Sequence, residues 1–426
     1  MLILTIFIFL VALICLNVPI AFSLALAGVL GLYMTEGADA LVTVALDMYD
    51  GSTKFSLIAI PMFVLAGAIM NAGGVTKRLI EFVSALIGAV RGGLSMVSIG
   101  VSLFFAEISG SAVADVAALG SILIPEMKKR GYGAPFAAAV TSSSASLAII
   151  IPPSIPMILY AVSANTSVEQ LFVAGFVPGI MGAVGMMGVS WWFARRYNLP
   201  VEEAFNLKRL RKATIDAGPT FLLPIIILGG IFGGFVTATE AAGLAVLAAI
   251  GVGMWYREVD FSQLRRAMLE GGMQTAVVMV LVAASVLMGG FLTRAQIPQD
   301  LAAQMIAFTD SKYLILLILN VFFLVIGFFL HSAAAIILVV PIVVPLIQQV
   351  GIDPVHFGLV VTLNLAIGQQ TPPVASVLIT ASSIAKANIW DVSRVNLPFI
   401  MVLLGVLMIC TYVPAIPMFL VELFYR

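Results

Sequence analysis

Apolar residues run in long, nearly unbroken stretches, and the polar positions between them are short and sharply placed. A membrane-spanning helix needs about 20 apolar residues. Stretches of that kind occupy 2–16, 18–34, 55–72, 134–162, 171–194, 218–235, 238–255, 276–293, 355–385 and 396–421. Two more, 94–124 and 314–345, are interrupted at their middles by Ser109-Gly110-Ser111 and His331-Ser332. The arms on either side of each interruption are too short for a full crossing. They suit re-entrant hairpins, because irregular backbone at membrane depth is tolerated only where protein surrounds it. The pattern predicts an all-α polytopic membrane protein.

The pattern also repeats. Pro125 is matched by Pro345, Gly131 by Gly351, Pro152-Pro153 by Pro372-Pro373, and Ser163 by Ser383, always 220 residues on. The same offset lays the first hairpin tip on the second. Leu and Val runs match themselves by chance, but prolines and glycines held at one offset do not. We read a tandem duplication. The first repeat spans 1–217, with a hairpin at about 94–124 and a connector at 195–217. The second spans 218–426, with a hairpin at about 314–345.

Charge adds the orientation. Lys and Arg concentrate on the cytoplasmic side, and acids count for little. The interval 36–54 carries one basic residue, Lys54, whereas its counterpart 256–274 carries Arg257, Arg265 and Arg266. Lys128-Lys129-Arg130 maps onto Gln348-Gln349-Val350, and Lys77-Arg78 onto Ile297-Pro298. Equivalent loops therefore fall on opposite sides, which makes the repeats inverted. The connector, with Arg195, Arg196, Lys208, Arg209, Arg211 and Lys212, is cytoplasmic by the same rule. Outward counting puts both termini on the other side.

Composition narrows the class further. The chain is 62% hydrophobic and 10% charged, against roughly 45–50% and about 25% in soluble domains. Its main solvent is the lipid bilayer. A formal net charge of zero argues against a nucleic-acid partner, which requires excess Lys and Arg. Residues 2–16 lack the basic start of a leader peptide and are read as a spanning helix. Cys15 and Cys410 are read as two buried thiols with no disulfide or zinc spacing.

Inverted repeats with interrupted helices are the build of secondary transporters, whose sites lie where the breaks meet at the bilayer midplane. Each half supplies two breaks. In the first they are Glu107 to Ser111 and the segment from Ser142-Ser143-Ser144 to Pro152-Pro153-Ser154. In the second they are Gly327 to Ser332, then Asn364 and Gly368 to Pro373. Proline removes a helical hydrogen bond and clashes with an earlier carbonyl, so Pro152, Pro153, Pro372 and Pro373 are assigned as structural helix breaks. The carbonyls they free, with Ser, Thr and Asn oxygens nearby, are hard ligands for a small cation. Half-helices starting at the breaks turn amide ends and positive dipoles to the same depth, where an anion is favoured. No Lys or Arg occurs in 94–124, 134–162, 314–350 or 355–385. An anion held there depends on helix ends and bound cations.

In order and spacing, Ser109-Gly110-Ser111 with Asp115, Ile151-Pro152-Pro153-Ser154, Thr237-Ala238-Thr239-Glu240-Ala241-Ala242 and Gln370-Thr371-Pro372-Pro373 resemble the large membrane subunit of a tripartite ATP-independent periplasmic (TRAP) transporter. The likeness covers nearly the whole chain. One departure is Ala238, where the family pattern usually has proline. The resemblance implies an elevator mechanism, Na⁺ coupling, a separate small four-helix membrane subunit, and a periplasmic protein that delivers an organic acid. It also implies the bacterial inner membrane. Sialic acid and C4-dicarboxylates are both compatible as cargo.

On that basis one Na⁺ site is expected at Ser109, Gly110, Ser142, Ser143 and Ser144. A second is expected at Gly327, Gly368, Gln369 and Thr371. Substrate is expected between the tips, near Ser111, Ser154, His331 and Asn364. Each serine also has a plainer reading as a small residue at a helix interface. Asp115 is read as a dipole-stabilised cap, and Thr239 as the cap of the helix that begins beside Glu240. His331 is the histidine of interest, either for a carboxylate or for titration near neutral pH, whereas His356 is read as a loop neighbour without a role. A proton-coupled or stand-alone carboxylate transporter of the same superfamily and, behind it, an ion channel are the nearest rivals. An ABC permease and an intramembrane enzyme are disfavoured, for want of a nucleotide-binding motif and of any HExxH, GxSxG or triad-like set.

Overall fold

The computed structural model describes residues 2–201 and 204–425; the side chains of 2–4 and 107–109 lie outside that description. Among the described residues the chain is helical, with no strand beyond one isolated bridge between Arg91 and Val201. Nine of these helices are long and apolar enough to cross a membrane, and they include Lys312–Phe329 and Ser332–Gln349, the two arms of 314–345 expected to be too short for a crossing. The helices Leu2–Cys15, Ile20–Glu36, Gly93–Ser109 and Pro354–Gly368 are shorter than that.

Both interrupted stretches turn at their predicted breaks. The first hairpin has one arm at Gly93–Ser109 and another at 112–129, the second arm carrying a π-helical turn, Val116–Gly120. The second hairpin pairs Lys312–Phe329 with Ser332–Gln349. Two broken helices accompany them. The first runs Ala134–Ala145, Leu147–Ile150 and, past Pro152-Pro153, Ile155–Ala164. The second runs Pro354–Gly368 and, past Pro372-Pro373, Ser376–Ala385. Both proline pairs are joined by cis peptide bonds.

These four units interlock. Ile155–Ala164 packs on Ser332–Gln349, so the outgoing half of the first broken helix rests on the second hairpin. Ser376–Ala385 packs on Ala134–Ala145 and on the π-turn of the first hairpin. In the most apolar window of Ala134–Ala164, 94% of residues are buried, against 28–61% in the other candidate spans. The first broken helix is therefore shielded from lipid on nearly every side. That is the only setting in which its non-helical backbone at 151–154 is tolerable.

The helix Phe261–Arg294 lies along this group. It contacts Ile20–Glu36, Val44–Ser52, Ala59–Ala72 and Ser332–Gln349. Sequence hydropathy placed its start near 276; it begins at 261, so most of the interval 256–274 is helix. Asp260 and Gln263 form a capping box that satisfies the first amides, and a start fixed by capping needs no apolar run. Thr237, not Thr239, caps Ala238–Tyr256, with Glu240 closing the box through a 2.8 Å bond from the Thr237 amide. The apolar stretch 396–421 resolves into Ile389–Tyr412 and Ala415–Tyr425. Pro414 cannot continue a helix and biases Val413 out of helical geometry.

Two thiols and a histidine also depart from expectation. Cys410 is buried, but Cys15 is exposed because Leu2–Cys15 is a peripheral helix. His356 is no bystander of a loop. It is buried, and its Nε2 lies 2.8 Å from the Cys410 carbonyl oxygen.

Candidate binding site between the hairpin tips

The tips meet the proline breaks directly. Gly110 has φ of +61°, open to glycine at low cost, and a side-chain carbon there would stand 2.9 Å from the Pro153 carbonyl oxygen. The Ile155 amide donates to the Gly110 carbonyl at 3.4 Å. At the other tip the Val374 amide donates to the Phe328 carbonyl at 3.3 Å. Gly327 and Gly368 are pressed together: a Cβ on Gly368 would fall 2.6 Å from Gly327 Cα.

Between the tips lies a cavity of about 430 Å³. Its polar wall is Ser111, His331, Ser332, Gln369 and, from the helix Phe261–Arg294, Gln274. The remainder is apolar, including Val64, Ile149, Ile155, Val277 and Val278. Among the described residues no Lys, Arg, Asp or Glu contributes. The helices 112–129 and Ser332–Gln349 both begin at this wall, and no side chain caps the second. Two helix N-termini with their positive dipoles thus face a space without a side-chain cation among the described residues, a setting that favours an anion.

The predicted residues separate into three groups. Gly110, Ser111, His331 and Gln369 line the cavity. Around the first broken helix, Ser142, Ser143 and Ser144 are fully buried. Ser144 accepts from Ser102 at 2.9 Å, Ser143 donates to Asn396 Oδ1, and Ser142 Oγ has no partner among the described residues. The side chain of Ser109, and with it that part of the expected first cation site, lies outside the described residues. The third group is Asn364 with Gly327 and Gly368. The Asn364 carbonyl oxygen stands 3.6 Å from where a Gly327 Cβ would be, and its amide nitrogen donates to Asn320 at 2.6 Å. Its Oδ1 has no partner. Asn364 is thus placed with the two glycines, away from the cavity wall. Thr371 bonds back to the Ile367 carbonyl at 2.9 Å.

Ser154 is placed apart from the cavity lining. Its hydroxyl donates to the Ile149 carbonyl at 2.7 Å and accepts from the Met157 amide, capping Ile155–Ala164. Asp115, one turn into the second hairpin arm, is buried with its amide on the Ser111 carbonyl.

Several participants escaped sequence reasoning. Gln370 donates to Ser146 Oγ at 2.7 Å and accepts from Asn396 at 3.3 Å, so a chain of four buried side chains joins the two broken helices. Asn320, which also donates to Thr411 at 3.2 Å, is a lone amide in the otherwise apolar run Lys312–Phe329. That isolation was its available signal. Among the described residues no group of three His, Cys, Asp or Glu is placed to hold a metal. Two of the unpartnered oxygens, Ser142 Oγ and Asn364 Oδ1, are neutral and hard, a donor type that suits an alkali cation.

Comparison with known proteins adds the lineage of this arrangement. The family described as tripartite ATP-independent periplasmic transporter, DctM component, matches residues 7–416. The isethionate TRAP transporter permease protein DctMQ of Oleidesulfovibrio alaskensis is 40% identical over 405 residues, 95% of this chain, which spans only 64% of that relative's length. The C4-dicarboxylate TRAP transporter large permease protein DctM of Pseudomonas aeruginosa is 38% identical, with 92% of each chain covered. The sialic acid TRAP transporter large permease protein SiaM of Vibrio cholerae is 34% identical, with 96% of each covered. Among solved structures, the Alcanivorax borkumensis YdaH transporter superposes with a TM-score of 0.64 at 14% identity, over 89% of each chain. That last likeness concerns the fold alone.

Proposed function

The chain belongs to the DctM-component family of tripartite ATP-independent periplasmic transporters, and from that premise we propose that it is the large permease of a Na⁺-coupled uptake system for a small organic anion. The observation that carries this reading is the cavity between the tips, where two helix N-termini face a wall with no side-chain cation. An anion alone there is incompletely compensated. Cations bound beside Ser142 and beside Gly327, Gly368 and Asn364 would complete the compensation, so cation and anion would bind in linked fashion. Linkage of that kind is the thermodynamic core of symport.

In this proposal the two hairpins and broken helices move as a unit against the remaining helices, in the manner of an elevator, and the halves form inverted repeats. The helix Phe261–Arg294 supplies the facing wall, because Gln274, Val277 and Val278 reach the cavity from outside the interlocked group. A small membrane subunit and a periplasmic binding protein complete the system in the bacterial inner membrane. The relatives' names span isethionate, C4-dicarboxylates and sialic acid, which supports an organic acid as the cargo without choosing among them.

The test is reconstitution in liposomes with the small subunit and loaded binding protein, following labelled organic acids. Accumulation is expected only with both the binding protein and an inward Na⁺ gradient. Equal uptake on a proton gradient in Na⁺-free buffer would replace the cation reading with one centred on His331, which lines the same cavity.

A further inference from the structure

Gln369 and Gln370 are adjacent, and their amides are treated in opposite ways. The Gln370 amide is used on both sides, donating to Ser146 and accepting from Asn396. The Gln369 side chain is 2% exposed, belongs to the wall of the inter-tip cavity, and has no hydrogen-bond partner at Oε1 or at Nε2. Leaving a buried polar group without a hydrogen bond is costly, and native proteins hold few such groups. Both atoms are covered in this structure, so two unpaired groups on one side chain beside a cavity mark an amide that a ligand there completes once the side chain turns toward it.

What that ligand is follows from counting donors and acceptors. A glutamine amide presents an acceptor oxygen and an NH₂ with two donors. A cation would meet Oε1 and leave the NH₂ bare. A simple carboxylate would meet the NH₂ and leave Oε1 bare. Both are met by a ligand that carries an acid oxygen and a hydroxyl side by side. The wall gives a second reason. With no Lys or Arg on it, one anionic group can be held by the helix ends, whereas a neutral hydroxyl adds polar recognition without adding charge.

We infer that Gln369 is a specificity-determining residue that reads a hydroxyl beside the acid group, and that the chain takes hydroxylated organic acids in preference to their deoxy counterparts. This rests on the reading that the cavity holds the transported anion. A site built to bond a hydroxyl rejects the analogue lacking it far more strongly than an apolar pocket rejects a missing methylene.

The experiment uses the full chain with its small membrane partner in nanodiscs at saturating Na⁺, probed with three acid pairs. These are isethionate against ethanesulfonate, L-malate against succinate, and L-lactate against propionate. Affinities come from ligand-induced thermal stabilisation. The hydroxylated member of at least one pair is expected to bind about tenfold or more tightly, the worth of one well-made hydrogen bond. Gln369→Met, of similar volume, is expected to bring that ratio close to one. Equal affinities within every pair would overturn the inference, as would a ratio that survives Gln369→Met. The ratios of the unmodified protein decide the matter even if the variant does not fold. Absence of binding by all six acids would also overturn the inference; failure of the transport reading is distinguished from it by the liposome assay, in which uptake dependent on Na⁺ and the binding protein would be missing.

Discussion

Gln370 Nε2 stands 2.7 Å from Ser146 Oγ, a hydrogen bond between side chains 224 positions apart. It ties the break of one broken helix to the polar run of the other. Asn396 donates to Gln370 and accepts from Ser143, so the tie continues into the helix Ile389–Tyr412. All four side chains are buried. In such a setting a half-satisfied network is worse than none.

Replacing Gln370 with Leu leaves Asn396 Nδ2 without its partner and takes a donor from Ser146 Oγ, which keeps its own bond to the Ser143 carbonyl. Each buried group left unpaired costs about 1–3 kcal/mol, and at least Ser146 and Asn396 lose a partner. The expected outcome is a clear fall in thermal unfolding temperature in detergent, read by intrinsic fluorescence, with cation-induced stabilisation weakened as well. An unchanged unfolding temperature would mean that the network is not maintained in solution.

The serines of the first broken helix should divide by partner and not by position. Ser142 Oγ has none, whereas Ser143 is bonded to Asn396. Ser142→Ala removes no protein hydrogen bond, so fold stability should hold while half-saturation by Na⁺ rises about tenfold, the loss of one oxygen ligand taken at about 1.4 kcal/mol. Ser143→Ala should lower stability first. Titrating Na⁺-induced stabilisation in both variants separates the two effects; equal behaviour would remove Ser142 from the cation site.

Close approach at the second tip makes a ranked prediction. A Cβ on Gly368 would lie 2.6 Å from backbone atoms of Gly327, whereas one on Gly327 would lie 3.1 Å from Gly368 Cα. Overpacking typically costs about 1–3 kcal/mol, and backbone on both sides cannot swing away as a side chain can. Gly368→Ala should therefore impair uptake and Na⁺ affinity more than Gly327→Ala. The reverse order, measured in the same liposomes, would contradict this contact.

Much of this was legible from residue order, and the remainder was hidden for physical reasons. Both tips and both broken helices sit where prolines, glycines and polar runs interrupt apolar sequence. Those breaks are strong because lipid tolerates no irregular backbone outside a protein wall. Side-chain pairing across the interior was not legible, since Asn320, Asn396 and Ser102 gain meaning only from helices far away in sequence. Asn364 was legible in part. It precedes Gly368 by four residues, which places both on one helical face, and that argues for the glycine contact over the cavity. Helix starts fixed by capping, as at Asp260, and helix ends fixed by Pro414 override hydropathy. The stretches near 276–293 and 396–421 shifted for those reasons.

The last prediction concerns pH at one polar end of the helix bundle. Arg78 donates to Glu258 at 2.7 Å and lies 3.7 Å above the Tyr256 ring. That hydrogen bond is the main reason the Glu258 carboxyl is held below its usual 4.5, ahead of the opposing effect of partial desolvation and the charges of Arg78 and Lys77. A depressed carboxylate favours the fold once it is ionised. The contribution is complete above the unfolded value near 4.5 and fades as pH falls through the lower folded value. Because the pair is partly solvent-exposed, at 22% for the Arg78 and 43% for the Glu258 side chain, its worth is only about 0.2–1 kcal/mol, and salt should reduce it. Glu258→Gln should therefore lower the unfolding temperature slightly at pH 7 and flatten its decline below pH 4.5. A variant whose acid profile overlays that of the unmodified protein would show that the ion pair carries none of the acid sensitivity.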